Sequence, residues 1–335
     1  MLTSDLDYDL PEEAIAQTPV EPRDAARLLV ATTGGAPVDA TVADLGRFLR
    51  PGDVMVVNRT RVRNARLVLN RATGARVEVL LLDTSDGVQF DALLGNSRRL
   101  SDGEVLVAPD GEPVIEVLCR VGLTARVRLL GGEVSLNQYG EVPLPPYITE
   151  RASDPERYQT VYARDARSAA APTAGLHLTE RLLASLRSVG VGIHEVELVV
   201  GVDTFRPITT NEVRGHTIHS EWYSVPDSTM DAVANARVDG GRVVAIGTTS
   251  VRALESAAST GAMQGRTSLY IVPGHRWRAV DVMMTNFHMP RTTLLAMVQA
   301  FIGPSWRDLY ETALARGYRF LSYGDAMLLT RSQIP

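Results

Sequence analysis

The chain has 335 residues, of which 45% are hydrophobic and 22% are charged, and its formal net charge is −5. This composition is typical of a folded globular protein with one large domain or about two ordinary ones. The single cysteine, Cys119, excludes an intramolecular disulfide and a cysteine-rich metal site. The negative charge argues against a generally basic nucleic-acid-binding protein, and a local basic face stays possible. All 34 Lys and Arg residues are arginine, which excludes lysine Schiff-base chemistry.

Two features of the sequence bear on its location. The first residues, MLTSDLDYDLPEE, are acidic and contain no apolar stretch, so we expect no signal peptide. The longest apolar stretches, such as LLAMVQAFIG, are too short to span a bilayer. We therefore expect a cytoplasmic protein without a membrane partner.

The predicted elements change character along the chain. TVADLGRFLRPGDVMVVN (41–58) predicts a helix, a turn and a buried strand. Between Ala65 and Pro146, short β-type stretches are separated by turns rich in glycine and aspartate. These stretches are ARLVLN, ARVEVLLLD, VQFDALL, EVLVAP, PVIEVLCRV and ARVRLLG. They predict an antiparallel sheet or small barrel of about six strands, which ends at the proline-rich PLPPYI (143–148).

After residue 160 the pattern alternates between strands and helices. The predicted strands are EVELVVG, RVVAIGT and AVDVMMTNF, and the predicted helices are TERLLASLRSVG, SVRALESAA and RTTLLAMVQAFIG. In the first helix, Thr179 can cap the start and Gly190 can end it. We therefore predict an α/β main domain, residues 1–64 plus 147–335, interrupted by an inserted antiparallel β-barrel domain, residues 65–146.

The segment RVVAIGTTSVRALES (242–256) combines a hydrophobic strand, a Gly-Thr-Thr-Ser turn and the start of a helix. Backbone N–H groups at a helix N-terminus favour an anionic ligand, and Thr248, Thr249 and Arg252 add donors. The segment lacks the lysine and the glycine spacing of a P-loop, so a carboxylate or a polar nucleoside fits better than a triphosphate. An ordinary helix capped by serine or threonine explains the pattern equally well.

Two other turns carry a histidine. TNFHMP (285–290) follows a predicted strand and contains Asn286 and His288. Because ligands collect at strand ends in α/β sheets, this turn and the Gly-Thr-Thr-Ser turn support each other. SAAAPTAGLHLT (168–179) leads small residues into His177. That loop is either a tight turn with a packed histidine or a loop shaped for a ligand.

Two polar segments complete the candidates. HTIHSE (216–221) offers two histidines three residues apart beside Glu221. A metal site is one interpretation, but the HExxH pattern is absent and hydrogen bonds to substrate or structure fit better. SYGDAM (322–327) places Tyr323 and Asp325 around a glycine, and we expect both to contribute polar groups to the same cleft.

Many of these stretches resemble one family, and they follow one another in a single order. They are DYDLPEEAIAQTPVEPRDAARLLV, RPGDVMVVNRTRV, VPLPPYI, RYQTVYA, AAPTAGLHLT, HTIHSE, GTTSVRALES, VDVMMTNFHMPRTTLLAMVQAF and YGDAMLL. They resemble the S-adenosylmethionine:tRNA ribosyltransferase-isomerase (QueA) family over nearly the whole chain. The fold that this resemblance implies, an α/β domain interrupted by a β-barrel, agrees with the elements predicted above.

The resemblance implies an unusual reaction. Such enzymes use S-adenosylmethionine as a ribosyl donor, and the acceptor is the aminomethyl group of a 7-deazaguanine base at the wobble position of tRNA. Adenine and methionine leave, and epoxyqueuosine forms. The reaction needs a proton acceptor beside the sulfonium, donors for the departing adenine and a group that holds the methionine carboxylate. The implied partners are tRNA and S-adenosylmethionine, and we expect a monomer without a metal.

The resemblance assigns candidate roles to residues as sets. The catalytic candidates are His177, His288 and Asp325. The candidates for binding the donor are Pro172, Thr173, Gly175, Gly247, Thr248, Thr249, Arg252, Asn286, Phe287 and Tyr323. The candidates for binding the substrate are Arg61, Tyr158, His216, His219 and Glu221.

The sequence also departs from the family pattern. Arg59 replaces an acidic residue in NRTRV, Val199 replaces a histidine, and Asp203 replaces a glycine in LVVGVDTF. Changes inside motifs can alter which acceptor is used. Two alternatives therefore stay open: a related enzyme that uses S-adenosylmethionine with another acceptor or in another reaction, and an inactive protein that binds the nucleoside or tRNA.

Overall fold

The computed structural model describes residues 1–31, 35–84, 87–95, 100–121, 124–150, 154–201 and 207–332. The chain divides into two compact units. The first consists of Met1–Arg61, Pro145–Asp165 and Ala171–Pro335, and the second of Val62–Leu144 and Ala166–Ala170. Each unit has its own sheet and its own hydrophobic core.

The elements are numbered in chain order. The strands of the described residues are β1 (Arg27–Ala31), β2 (Val38–Thr41), β3 (Val54–Asn58), β4 (Arg61–Val62), β5 (Arg66–Asn70), β6 (Arg76–Thr84), β7 (Gln89–Gly95), β8 (Val105–Val107), β9 (Pro113–Val121), β10 (Thr124–Leu129), β11 (Gly140–Glu141), β12 (Ala166–Ser168), β13 (Gly192–Leu198), β14 (Glu221–Ser224), β15 (Val243–Ile246), β16 (Gln264–Thr267), β17 (Val282–Asn286) and β18 (Ala326–Thr330). The α-helices of the same residues are α1 (Gly132–Tyr139), α2 (Glu180–Ser188), α3 (Asp227–Val238), α4 (Thr248–Thr260), α5 (Thr293–Ile302) and α6 (Trp306–Ala315).

The first unit is built on a mixed sheet whose described strands follow the order β16-β14-β13-β3-β15-β17-β18-β1-β2. Its centre is parallel, because β13 and β15 both run parallel to β3, and β17 runs parallel to β15. The strands β18, β2, β14 and β16 each have an antiparallel neighbour. The parallel centre brings the carboxyl ends of β15 and β17 side by side, which is where ligands bind in sheets of this kind.

The core of the first unit forms around the central strand. All five residues of β3 are buried, as expected for a parallel strand covered on both faces. Met55 and Val57 belong to the same core cluster as Leu182 and Leu186 of α2. The predicted cap of α2 is confirmed, because the Thr179 hydroxyl accepts a hydrogen bond from the Leu182 backbone N–H at 3.1 Å.

A buried carboxylate joins the starts of β3 and β15. Asp53 is fully buried. Its Oδ1 accepts from the Arg242 backbone N–H at 2.9 Å, and its Oδ2 accepts from Arg242 Nη2 at 2.6 Å. Burial acts to raise the pKa of Asp53, but the hydrogen bonds from Arg242 and from the Arg50 backbone outweigh it and hold the pKa below its ordinary value. The pair therefore fixes two central strands in register.

The second unit is an antiparallel barrel. Its strand order is β11-β5-β6-β7-β10-β9-β8, and a further pairing of β5 with β8 closes the ring. Burial alternates along β5 and β10, because successive side chains of a strand point to opposite faces. The six predicted stretches correspond to β5 through β10. The predicted fold class, an α/β main domain interrupted by an inserted antiparallel β-barrel, is confirmed.

Some local predictions differ from the structure. The helix predicted after Thr41 is a short 3-10 helix, Val42–Arg47, which fits the poor helix propensity of the enclosed Gly46. The helices α1, α3 and α6 and the central strand β18 had no counterpart among the predictions.

Candidate active site

The first turn of α4 supplies the donor groups of the site. β15 ends at Ile246, and Gly247 then adopts φ 85° and ψ 153°, a conformation that essentially only glycine adopts. α4 begins directly at Thr248, and its first turn is buried. Since the first N–H groups of a helix have no partner within the helix, this turn presents backbone donors and a positive partial charge.

At the end of the neighbouring strand β17, Asn286 joins three segments. Its Nδ2 donates to His177 Nε2 at 3.1 Å and to the Leu321 carbonyl oxygen at 3.1 Å. Its Oδ1 accepts from the Thr173 hydroxyl at 2.9 Å. Because an amide nitrogen only donates, His177 Nε2 must accept, so the proton of the neutral imidazole is on Nδ1. The side chain therefore fixes the loop at residues 173–177 and the tautomer of its histidine.

A first cleft of about 600 Å³ opens beside these strand ends. Its lining residues are Tyr147, Ala171, Pro172, Thr173, Ala174, Val200, Gly247, Thr248, Thr249, Thr285, Asn286, Phe287, His288, Met289, Thr292, Leu294, Leu321 and Ser322. The Tyr147 hydroxyl lies 2.7 Å from the Ser322 hydroxyl, and burial raises the pKa of Tyr147 to about 12. Mixed apolar and hydroxyl-bearing walls of this kind suit a small organic ligand.

A second cleft, of about 610 Å³, adjoins the first. Its lining residues are Gly201, His216, Ile218, His219, Glu221, Thr248, Thr249, Arg252, Leu269, Tyr270, Ile271, Thr293, Leu294 and Met297. Thr248, Thr249 and Leu294 line both clefts. The N-terminal ends of α4 and α5 therefore form a shared wall, and a ligand in either cleft lies against the same threonines.

A buried ion pair forms part of the second cleft. Arg252 donates through Nη1 to Glu221 Oε2, and Glu221 Oε1 accepts from the Gly201 backbone N–H at 2.9 Å. The side chains of Arg252 and Glu221 are only 7% and 6% exposed. Among the described residues, Nε and Nη2 of Arg252 and the hydroxyl of Thr249 are buried without a hydrogen-bond partner. This cleft therefore holds hydrogen-bonding capacity that the protein itself does not use.

Of the three candidate catalytic residues, His288 lines a cleft, whereas His177 and Asp325 do not. His288 lines the first cleft, with Nε2 at 3.0 Å from the Thr285 hydroxyl, and burial lowers its pKa to about 3. His177 lines neither cleft; burial, with Arg319 and other arginines nearby, lowers its pKa to about 4. Both imidazoles are therefore neutral at pH 7. Asp325 lines neither cleft, because its oxygens accept from the Arg27 and Arg319 backbone N–H groups at 2.9 and 2.8 Å.

The candidate binding residues likewise divide into those that line a cleft and those that do not. The residues that line a cleft are Pro172, Thr173, Gly247, Thr248, Thr249, Arg252, Asn286, Phe287, His216, His219 and Glu221. Gly175, Tyr323, Arg61 and Tyr158 line neither. Gly175 is packed so closely that a Cβ would lie 2.0 Å from the Tyr162 hydroxyl. Arg61 pairs with Glu156, and the Tyr158 and Tyr323 rings meet edge to face at 5.8 Å.

The departures from the family pattern lie outside both clefts where the structure describes them. Arg59 lies between Asp165, Glu195 and Glu197, with N···O distances of 3.7, 3.9 and 3.7 Å. The arginine therefore neutralises a local group of carboxylates. The Val199 backbone N–H donates to the Trp222 carbonyl at 2.9 Å, and its side chain lines neither cleft. Asp203 lies outside the described residues.

Several lining residues were missed from the sequence. Tyr147 lies in the proline-rich PLPPYI, and Leu321 and Ser322 come just before the noted Tyr323. Tyr270 comes from the segment after β16. A usable signal existed at Thr292 and Thr293, since a Thr-Thr pair before an apolar stretch marks a helix N-terminus.

Neither a metal-ligand cluster nor a helix that could span a membrane occurs in the described ranges. No group of three or more His, Cys, Asp or Glu side chains within them is arranged to hold a metal ion. None of the helices in those ranges is long and apolar enough to cross a membrane.

Comparison with known proteins assigns the chain to a protein family. A family model described as "Queuosine biosynthesis protein" matches residues 3–329. The chain belongs to this family. A relative from Moorella thermoacetica is 46% identical, over 98% of this chain and 100% of the relative. Another, from Anaeromyxobacter dehalogenans, is 48% identical over 99% and 100%. Both are named S-adenosylmethionine:tRNA ribosyltransferase-isomerase.

A solved structure agrees with the family assignment. The S-adenosylmethionine tRNA ribosyltransferase from Thermotoga maritima matches with a TM-score of 0.57 and 32% identity. The match covers 97% of this chain and 99% of that one. The predicted family membership is confirmed.

Proposed function

We propose that this chain transfers the ribosyl unit of S-adenosylmethionine to tRNA and isomerises it. The observation that carries the proposal is the near full-length identity of 46–48% to relatives named for this activity. The acceptor is the aminomethyl group of 7-aminomethyl-7-deazaguanine in tRNA, and the products are epoxyqueuosine in tRNA, adenine and methionine. No metal takes part in the proposed reaction.

The two adjoining clefts provide one space for the donor and the acceptor base. Because Thr248 and Thr249 line both clefts, we assign the donor to the first turn of α4. Backbone N–H groups and hydroxyls at that turn can stabilise negative charge or hydrogen-bond the ribose. The remaining lining residues, Asn286 and Phe287 among them, shape the wall at the end of β17.

Proton transfer requires a group that reaches the reacting atoms. Of the three catalytic candidates, His288 lines a cleft, so we assign it to proton transfer or orientation at the carbon beside the sulfonium. His177 acts through Asn286, and Asp325 holds two backbone segments. These two are positioning residues in this proposal. His216 and His219, which line the second cleft, are assigned to contacts with substrate.

The surroundings of the enzyme follow from its substrate. We propose that it works in the cytoplasm, where its macromolecular substrate tRNA is found, and that it works as a monomer. Its domains are proposed as residues 1–64 plus 147–335 and residues 65–146. Light scattering after size-exclusion chromatography tests the monomer against the chain mass of 36.4 kDa.

The reaction can be tested directly. The purified chain is incubated with S-adenosylmethionine and tRNA carrying 7-aminomethyl-7-deazaguanine. Adenine is followed by chromatography, and the modified nucleoside is identified by mass spectrometry after digestion. We expect one adenine for each epoxyqueuosine formed. Donor consumption with another acceptor, and none with this tRNA, would show that the acceptor has changed.

A further inference from the structure

The second cleft contains polar groups that the fold leaves unsatisfied. Arg252 is 6% exposed and Thr249 is 8% exposed. In the part of the chain that the structure describes, Nε and Nη2 of Arg252 and Oγ1 of Thr249 have no hydrogen-bond partner. Buried polar groups in proteins are nearly always paired, because each unpaired one destabilises the fold. Among the described residues, three with such groups, Thr249, Arg252 and Tyr270, line this one cleft, and together they indicate a ligand.

The geometry of α4 brings these groups together. Thr249 and Arg252 are three residues apart, so they share one face of the helix. That face lies within the first two turns of a helix of 13 residues, where the N-terminal partial charge is positive. An arginine with two free N–H-bearing nitrogens, a hydroxyl and a helix N-terminus together match the two oxygens of a carboxylate.

The charge of Glu221 determines which class of carboxylate ligand fits beside Arg252. It holds Arg252 Nη1 and is itself held by the Gly201 backbone N–H, so the guanidinium is kept in one orientation. Its negative charge balances that of Arg252, which makes the pair a poor site for an anion alone. A ligand with a cationic group beside its carboxylate satisfies both members of the pair. An α-amino acid has this chemistry.

We infer that the Arg252–Glu221 pair, together with Thr249, receives the α-amino carboxylate head of S-adenosylmethionine. This inference rests on the proposed function and extends it from a donor cleft to an oriented donor. Arg252 and Thr249 bind the carboxylate, and Glu221 positions Arg252 and lies near the ammonium. The methionyl part then occupies the second cleft, and the nucleoside part extends past the shared threonines into the first.

Decarboxylated S-adenosylmethionine tests this assignment, since it keeps the ammonium, the sulfonium and the nucleoside but lacks the carboxylate. Calorimetry gives the Kd of each compound for the wild type, for Arg252→Gln and for the control Arg187→Gln. Arg187 is exposed at the end of α2 and lines neither cleft. We expect Arg252→Gln to raise the Kd for S-adenosylmethionine about 10- to 100-fold. We expect a change of less than about threefold for the decarboxylated compound.

A second variant covers the case in which Arg252→Gln does not fold. Thr249→Val leaves the ion pair intact and should raise the Kd for S-adenosylmethionine about 3- to 10-fold, with Thr249→Ser restoring it. An equal loss on both compounds would assign Arg252 a structural role and overturn the inference. Equal wild-type affinity for the two compounds would overturn it as well, while leaving the proposed reaction intact. A wild type that binds neither compound contradicts the inference, and the adenine-release assay with tRNA then decides separately whether the proposed reaction occurs.

Discussion

Replacing Asn286 by aspartate tests whether this side chain holds the site together. Asn286 is 2% exposed, and its Nδ2 donates to His177 Nε2 and to the Leu321 carbonyl, each at 3.1 Å. Asn286→Asp keeps the volume and so creates no cavity, but it places an acceptor where two acceptors need a donor. Each buried acceptor left unsatisfied lowers the free energy of unfolding by about 1–3 kcal/mol. With two such acceptors, we expect the variant's free energy of unfolding to be about 2–6 kcal/mol lower at pH 7.5.

The pH dependence of this loss gives the sharper test. In the wild type, burial lowers the pKa of His177 to about 4, below its ordinary value of 6.5. As the pH falls, His177 therefore takes up a proton in the unfolded chain before it does so in the folded chain. Between pH 7.5 and 5.5 this lowers the free energy of unfolding of the wild type by about 1.4 kcal/mol. In the variant, the new carboxylate beside Nε2 raises the pKa of His177. A raised pKa contributes stability at low pH, and that contribution disappears as the pH rises.

The measurement is urea unfolding of both proteins at pH 7.5 and 5.5, followed by tryptophan fluorescence. If the new carboxylate raises the folded pKa of His177 to its ordinary value, the difference in unfolding free energy between them shrinks by about 1.4 kcal/mol at the lower pH, and it shrinks by more if the pKa rises further. Titration of His288, which is buried in both proteins, cancels in this difference. A difference that stays the same at both pH values, or one below about 1 kcal/mol at pH 7.5, would refute the role given to Asn286.

Three further substitutions test separate parts of the molecule. Gly247→Ala should destabilise the fold by about 1–3 kcal/mol and weaken S-adenosylmethionine binding, because φ 85° with ψ 153° disfavours a Cβ; an unchanged Tm would contradict this. His288→Gln should lower the rate of adenine release at least about 10-fold with a small change in Tm, and a normal rate would remove His288 from the chemistry. Asp53→Asn should lower the free energy of unfolding by about 2–4 kcal/mol at pH 7, measured by urea titration, because it breaks the ion pair with Arg242. Since the folded pKa of Asp53 is lowered, this cost should disappear as the pH falls through that pKa; a pH-independent cost would contradict it.

Local patterns explain why much of the fold was predictable. The strands β5 and β10 alternate between buried and partly exposed residues, and glycine-containing turns separate most of the barrel strands, so these strands are recognisable from local sequence. The caps of α2 and α5 are threonines whose hydroxyls accept from backbone N–H groups. The order of strands in the larger sheet is a long-range property. β18 lies between β17 and β1, although most of the chain separates it from β1.

The site was harder to predict because residue type does not determine where a side chain points. Asp325 has the chemistry of a catalytic acid, but its two oxygens accept from backbone N–H groups. His177 similarly contacts Asn286 and lines neither cleft. The Gly-Thr-Thr-Ser turn was a better guide, because a strand that leads directly into a helix constrains the backbone as well as the side chains. Tyr147 carried no local signal, since it reaches the cleft through tertiary packing.

The threonines that line both clefts have a consequence for inhibitor design. In the proposed donor orientation, a single molecule that joins an amino acid head to a nucleoside must pass the hydroxyls of Thr248 and Thr249 and the side chain of Leu294. A short linker bearing one hydrogen-bond acceptor and one methylene group matches that sequence of contacts. Because linking two fragments makes the second binding event intramolecular, such a donor analogue gains affinity over either fragment by about 10²–10⁴-fold when the linker length fits. The shared wall therefore sets the length and polarity of the linker.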